Sequence, residues 1–279
     1  GKAWNTAQSS GEEVIAAHAD WVQCLALNAK GTLLASGSRD GSVKLWDAAT
    51  GNLVKEVATL QGAITSVAMS SHKDTTLLAV GTRTDASSGE IRVYQIDSDK
   101  SGHTVKEKTT LSINGKGITA LAFSPRSDSA YLLAAGSSSA RVTLFDLDKG
   151  KEVASYSEHK DEVRSISFFE DGKLFASAGK DGIVYLYEVG QKASSKLADL
   201  HLGSIEAVAL IPVRLDAEDT LATPALLTGS ADQTVRIWEF ARIDVSKKDL
   251  ARQFRSHSQP VTAVGFNEKH GRIFVSASA

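Results

Sequence analysis

The sequence predicts an all-β fold built from a repeated four-stranded antiparallel sheet, and three observations carry that prediction. First, six apolar segments share one pattern, with a β-branched residue first, an aliphatic fourth and a large apolar sixth. They are Val22–Leu27, Ile64–Met69, Ile118–Phe123, Val163–Phe168, Ile205–Leu210 and Val261–Phe266, with starts separated by 42, 54, 45, 42 and 56 residues. Second, further short segments follow each of them in the same order. Third, no stretch shows a convincing 3.6-residue apolar period, so essentially no helix is expected. A repeat of about 40–45 residues, stretched twice by insertions, belongs to a propeller-type architecture.

The second segments are Leu33–Ser38, Leu77–Thr82, Leu132–Ser137, Leu174–Gly179, Leu226–Ser230 and Ile273–Ser278. The third follow a tight polar turn, as Ser42–Asp47, Glu90–Gln95, Arg141–Asp146, Ile183–Glu188 and Thr234–Glu239. Three of those turns read RDG, KDG and ADQ, residue types that tolerate the positive φ of hairpins. A weaker, more charged fourth segment comes last, such as Leu53–Ala58 and Glu152–Ser157. Inner strands covered on both faces and an outer strand facing water produce this gradient.

Composition narrows the function. The 31 Lys and Arg nearly balance 33 Asp and Glu, which disfavours a nucleic-acid or membrane-surface role. Cys24 is the single cysteine, so no internal disulfide forms. No apolar run is long enough to span a bilayer. The chain starts at Gly1 and its single methionine is Met69, so a piece of something longer, or a trimmed chain, is expected.

Across its whole length the chain resembles the WD-repeat family. Gly31–Gly51 (GTLLASGSRDGSVKLWDAATG) is near consensus, and KDGIVYLYE and SADQTVRIWE are close to it. The resemblance implies a buried network of His, Ser or Thr, Asp and Trp in each blade. By position these are His18, Ser36, Asp40 and Trp46 in the first blade; His159, Ser177 and Asp181 in the fourth, with Tyr187 for the tryptophan; and His201, Thr228, Asp232 and Trp238 in the fifth. His257 is the histidine of the last unit. The second and third blades depart, with Leu60 and Asn114 at the histidine position, Ser88 and Ser139 at the aspartate position, and Tyr94 and Phe145 at the tryptophan position. Those two blades are expected to rely on packing alone.

The termini suggest ring closure. KAWN near the start resembles a third strand, with Trp4 aligned to Trp46, while the chain stops just after a second strand. Six blades are expected, at approximately 18–58, 60–111, 114–157, 159–200, 201–255, and 257–279 joined to 1–17. A composite last blade would remove two exposed sheet edges. A seven-bladed parent, or a window cut from a longer array, is the alternative.

Catalytic and metal chemistry find little support. His18, His159, His201 and His257 all stand four residues before a first strand, a periodicity that makes them structural. His72, His103 and His270 are expected in polar loops, without metal-ligand spacing. There is no G-x-S-x-G elbow and no phosphate loop, and neither a cofactor nor a metal is expected. Cys24 reads as an inert thiol of an inner strand. The insertions Asp97–Thr110 and Pro212–Pro224 are polar and are expected to lie in loops.

The resemblance also implies a partner-binding face at the residue before each first strand, the second residue within it, and the residue before each turn aspartate. These are Trp21, Gln23 and Arg39 in the first blade, Glu162, Arg164 and Lys180 in the fourth, and Glu206 in the fifth. Blades two and three supply mainly the small residues Ala63, Thr65, Gly117 and Thr119. The expectation is a non-catalytic, intracellular scaffold, cytoplasmic or nuclear, that binds proteins or peptides. An acidic or phosphorylated peptide would suit Arg39, Arg164 and Lys180. The alternatives are a regulatory or sensor module of a longer multidomain protein, and a propeller enzyme, which would need a converging set of non-repeated polar residues.

Overall fold

The computed structural model describes residues 17–72, 75–84, 88–99, 102–113, 117–125, 131–197, 200–213, 223–241, 244–255, 257–266 and 274–278. The chain divides into two compact units, Gly1–Leu121 and Ala122–Ala279. All secondary structure among the described residues is β-strand. No helix long and apolar enough to cross a membrane occurs among them.

In the first unit, β1 (Val22–Leu27), β2 (Leu33–Ser38), β3 (Ser42–Asp47) and β4 (Leu53–Thr59) form one antiparallel sheet in sequence order. A second sheet follows with β5 (Ala63–His72), β6 (Thr75–Arg83), β7 (Glu90–Asp99) and β8 (Gly102–Ser112). The third sheet opens with β9 (Ile118–Phe123) at the unit boundary and continues with β10 (Leu132–Ser137), β11 (Val142–Asp146) and β12 (Lys151–Tyr156). In the second unit, β13 (Val163–Phe168), β14 (Leu174–Gly179), β15 (Val184–Glu188) and β16 (Ser194–Leu197) make the fourth sheet. β17 (Ile205–Val213), β18 (Thr223–Ser230), β19 (Val235–Ala241) and β20 (Asp244–Phe254) make the fifth, and β21 (Val261–Phe266) pairs with β22 (Phe274–Ser278) in the last. The pairing of 1–16, Trp4 included, with this last sheet lies outside the described residues.

Apolar alternation drives neighbouring sheets together inside each unit. Leu33, Ala35 and Leu45 of the first sheet pack with Ile64, Val67 and Leu78 of the second, all buried. Ala176, Val184 and Leu186 of the fourth pack with Ile205, Val208 and Trp238 of the fifth. β1 departs from the covered inner strand: Leu25 and Leu27 are exposed, because no described strand precedes it in its unit.

Glycine marks where these sheets approach most closely. A Cβ on Gly81 would stand 2.5 Å from Ile118 Cγ2, and one on Gly229 would stand 2.8 Å from Val261 Cγ1. In both cases the first residue of the next sheet occupies the space a side chain would need.

Three expectations require correction. His72 and His103 are not in loops: His72 ends β5, His103 lies in β8 opposite Ser98, and His270 lies outside the described residues. The polar segment Asp97–Thr110 is not a loop: β7 and β8 form a hairpin paired from Glu90↔Ser112 out to Asp99↔Gly102. Its outer strand is charged because one face meets water, while Ile96 is fully buried and Val105 packs on the core. At the other insertion, Pro212 and Val213 pair with Pro224 and Thr223, so its ends lengthen the ladder. Residues 214–222 lie outside the described residues.

Turns between second and third strands carry positive φ at the residue after the aspartate position: Gly41 (82°), Gly182 (73°), Ala140 (63°) and Gln233 (68°). For Ala140 and Gln233 that conformation crowds the Cβ. Gln233→Gly is therefore expected to raise stability by about 1 kcal/mol. Gly81→Val is expected to lower it by about 1–3 kcal/mol through overpacking against Ile118. Denaturant unfolding of both variants measures the two shifts.

Candidate partner-binding face

Each turn aspartate begins a chain of hydrogen bonds that ends at the aromatic residue of the third strand. In the fifth sheet, His201 Nδ1 lies 3.0 Å from Asp232 Oδ2, His201 Nε2 2.6 Å from Thr228 Oγ1, and Trp238 Nε1 donates to Thr228 Oγ1 at 3.1 Å. A carboxylate only accepts, so Nδ1 carries the imidazole proton and Nε2 accepts from the Thr228 hydroxyl. The relay is fully paired from indole to carboxylate.

The fourth sheet repeats it with a phenol. His159 Nδ1 lies 3.0 Å from Asp181 Oδ2, His159 Nε2 2.7 Å from Ser177 Oγ, and Ser177 Oγ 3.1 Å from the Tyr187 hydroxyl. In the first sheet, Trp46 Nε1 donates to Ser36 Oγ at 2.8 Å and His18 Nε2 lies 2.7 Å from that oxygen. His18 Nδ1 reaches Asp40 through Ser42, whose hydroxyl sits 2.6 Å from His18 Nδ1 and 2.6 Å from Asp40 Oδ1. Thr234 stands at the matching position and donates to Asp232 Oδ1 at 2.6 Å. Sequence reasoning missed these two hydroxyls. The signal was a Ser or Thr two residues after the turn aspartate, where the fourth sheet has Ile183. In the last sheet, His257 Nε2 lies 2.7 Å from Ser276 Oγ.

The second and third sheets do not rest on packing alone. Thr82 exchanges two bonds with the Glu90 backbone, at 3.3 and 3.1 Å. Ser137 Oγ pairs with Ser139 Oγ at 2.9 Å and with the Arg141 carbonyl at 3.2 Å. Leu60, at the histidine position, contributes its backbone amide to the Gly41 carbonyl. Asn114 lies outside the described residues.

Electrostatics follow from burial and from these bonds. Burial pushes the Asp232 carboxyl up, but hydrogen bonds from Thr234, His201 and the Leu202 amide outweigh it and hold it at about 2. Asp40 is pulled well below its ordinary range in the same way, by Ser42 and the Ala19 amide. His18 and His201 are lowered, chiefly by burial, against the pull of their aspartates. Burial also raises the Cys24 thiol to about 12, leaving it protonated and unreactive.

The relays pin the loops that carry the face. Asp40 accepts from the Ala19 amide at 2.7 Å, and the Arg39 amide donates to the Trp21 carbonyl at 2.9 Å. Asp181 accepts from the Lys160 amide at 2.9 Å, and the Lys180 amide donates to the Glu162 carbonyl at 2.9 Å. Strand register shifts at the second residue of five first strands, including those at Gln23, Arg164 and Glu206. Such bulges re-aim a side chain from the ladder.

In the first unit this leaves Trp21 73% exposed beside Gln23 and Arg39, with Arg39 Nε 3.9 Å from Asp20. In the second unit Arg164 is paired twice, with Glu206 at 3.2 Å and Glu162 at 3.4 Å. Arg164 is therefore a neutralised clamp, whereas Lys180 is exposed and in no ion pair among the described residues. Thr65 is turned inward and donates to the Ile118 carbonyl. Ala63 is half-buried and Gly117 buried, so neither projects into solvent. Among the described residues no group of three or more His, Cys, Asp or Glu is placed to hold a metal.

Both lowered histidines accept protons more readily in the unfolded chain, whose imidazoles titrate near pH 6.5. Their contribution to stability is thus present above that pH and lost as pH falls through it. The thermal midpoint is expected to drop between about pH 7 and 5, before the Asp232 contribution is lost below about pH 4. A His18→Gln, His201→Gln variant would start lower but show a flatter slope. At neutral pH, Asp232→Ala should cost about 1–3 kcal/mol by stranding the His201 proton and the Leu202 and Thr234 amides. Tyr187→Phe, which leaves the His159 pairings in place, should cost about 1 kcal/mol. Tryptophan fluorescence melts read all of these.

Comparison with known proteins agrees with this architecture. The model described as "WD domain, G-beta repeat" matches residues 11–47 and 201–239, and that described as "NUP159/214 beta propeller" matches 58–202. The chain is similar to Nuclear distribution protein nudF of Aspergillus niger, at 25% identity over 84% of this chain and 53% of that protein. It is 26% identical to Actin-interacting protein 1 of Drosophila melanogaster over 87% of this chain and 36% of that protein. WD repeat-containing protein SL1-17 of Schistosoma mansoni is 32% identical over 58% of this chain and 49% of that protein. The chain thus spans about half or less of the length of these relatives. Since the NUP159/214 match alone takes in more than half of the 279 residues and the WD-domain matches flank it, this chain belongs to the WD-repeat β-propeller family.

Proposed function

We propose that this chain is a non-catalytic scaffold that binds proteins or peptides through the loops at the starts of its first strands and the neighbouring turns. The observation that carries this reading is Trp21, a tryptophan 73% exposed on a loop whose backbone is held by Asp40 and Arg39. Exposed aromatic and arginine side chains on a rigid base are the usual anchors of protein interfaces. Relatives supply context: one is named for interacting with actin, and another, from Dictyostelium discoideum, is named as a subunit of the anaphase-promoting complex. The greater length of those relatives supports a role as one module of a larger protein or assembly, cytoplasmic or nuclear.

In the first unit the face comprises Trp21, Gln23 and Arg39. In the second it comprises Glu162, Arg164, Lys180 and Glu206, where the double pairing of Arg164 favours recognition by shape and mixed charge. The test is affinity capture with mass spectrometry, comparing the parent with a folded Trp21→Ala, Arg39→Glu, Lys180→Glu variant. Proteins retained by the parent and lost by the variant are the expected outcome. Equal capture by both would move the interface elsewhere, and no specific capture by either would overturn the scaffold reading.

A further inference from the structure

A cavity of about 400 Å³ opens in the second unit between the β14–β15 turn, strand β16 and the loop that enters β17. Its wall carries two lysines, Lys180 on the turn and Lys196 on β16, both exposed. Neither is in an ion pair among the described residues. The two other titratable groups in the wall are already committed. Asp181 accepts from His159 and from the Lys160 and Ile183 amides, and His201 is bonded to Thr228 and Asp232. At the rim, Leu202 is 95% exposed on a loop whose amide is held by Asp232 at 3.2 Å. That leucine offers a small apolar surface beside the two ammonium groups.

Both walls are fixed before any ligand arrives. Asp181 anchors one and Asp232 the other. Gly182 comes so near the opposing loop that a Cβ there would meet the Gly203 carbonyl at 3.2 Å. A preformed cavity of this size suits a few side chains of an extended peptide better than a folded domain. Two unpaired ammonium groups beside an exposed leucine favour an anion next to an apolar residue.

Building on the scaffold reading, we propose that this cavity binds an extended peptide segment, taking an anionic side chain between Lys180 and Lys196 and an adjacent apolar one on Leu202. The anion is a carboxylate or a phosphoryl group; the two share the same chemistry towards ammonium donors. Lys180 is shared with the proposed face residues of the second unit, whereas Lys196 and Leu202 are not among them, so the cavity can be altered by mutation without touching that face.

The experiment is fluorescence anisotropy on the full chain with three short labelled peptides. They carry glutamate beside leucine, phosphoserine beside leucine, or lysine beside leucine. Binding of one or both anionic peptides, weakening as salt rises, is expected, with no binding of the lysine peptide. The Lys196→Glu, Leu202→Ser variant should bind about tenfold more weakly or worse, with an unchanged thermal midpoint, while Lys151→Glu, at an exposed position of β12, binds as the parent does. Which anionic peptide binds identifies the source of the anion. Equal binding of the lysine peptide, no binding of any peptide, or undiminished binding by the Lys196→Glu, Leu202→Ser variant would overturn the proposal. If the parent chain captures partners but binds none of the peptides, the cavity assignment falls and the scaffold reading stands. If peptide binds but no partner is captured, the reverse holds.

Discussion

A carboxylate placed in a tight turn and then half enclosed must be given enough donors to keep its charge. Around Asp40, Asp181 and Asp232 that requirement is met from three sides: the amide of a loop entering a first strand, an amide of the turn itself, and a side-chain donor. For Asp181 and Asp232 the side-chain donor is an imidazole, and at Asp40 the Ser42 hydroxyl stands between. Each imidazole needs a hydroxyl on its other nitrogen, and each hydroxyl in turn takes an indole or phenol donor. Leaving any member of such a buried chain unpaired costs more than the bond gains. The geometry of loop, turn and three strands is therefore set together.

The proposed face residues of each unit inherit their order from that constraint. Trp21, whose carbonyl accepts from the Arg39 amide, lies two residues on from the Ala19 amide that Asp40 holds, and Glu162, whose carbonyl accepts from the Lys180 amide, lies two residues on from the Lys160 amide that Asp181 holds. The face residues are thus carried on backbone that does not have to be organised at the moment of binding, which favours affinity. The bulge at the second residue of the first strand completes the arrangement by releasing Gln23, Arg164 and Glu206 from the ladder. Charge is distributed unevenly over it. Arg164 is spent on two glutamates, whereas Lys180 faces solvent beside a cavity it shares with Lys196.

The inner strands were legible because burial on both faces demands long runs of Val, Ile, Leu and Ala, and because the turns between them announce themselves with Asp-Gly. The β7–β8 hairpin was not, since an outer strand such as Gly102–Ser112 buries only one side and its Lys106, Glu107 and Lys108 read as loop. The partners of the imidazoles were legible for Ser36, Ser177 and Thr228 but not for Ser42 and Thr234, which lie outside the four-residue pattern. Nor did sequence indicate that Arg164 would be paired by Glu206, a neighbour 42 positions on. Leu202 and Lys196 gave no sign at all. Their meaning comes from the cavity wall, which exists only after the fourth and fifth sheets have packed.

The relays depend on the direction in which protons are shared along them, and nitrogen-detected NMR of the histidine rings reads that directly. At neutral pH, His201 is predicted to be uncharged with the proton on Nδ1, donating to Asp232, and His18 to be uncharged with the same tautomer, donating to Ser42. Imidazolium rings, or rings protonated on Nε2, would contradict the relay and with it the claim that the turn aspartates hold the loops entering the first strands in place.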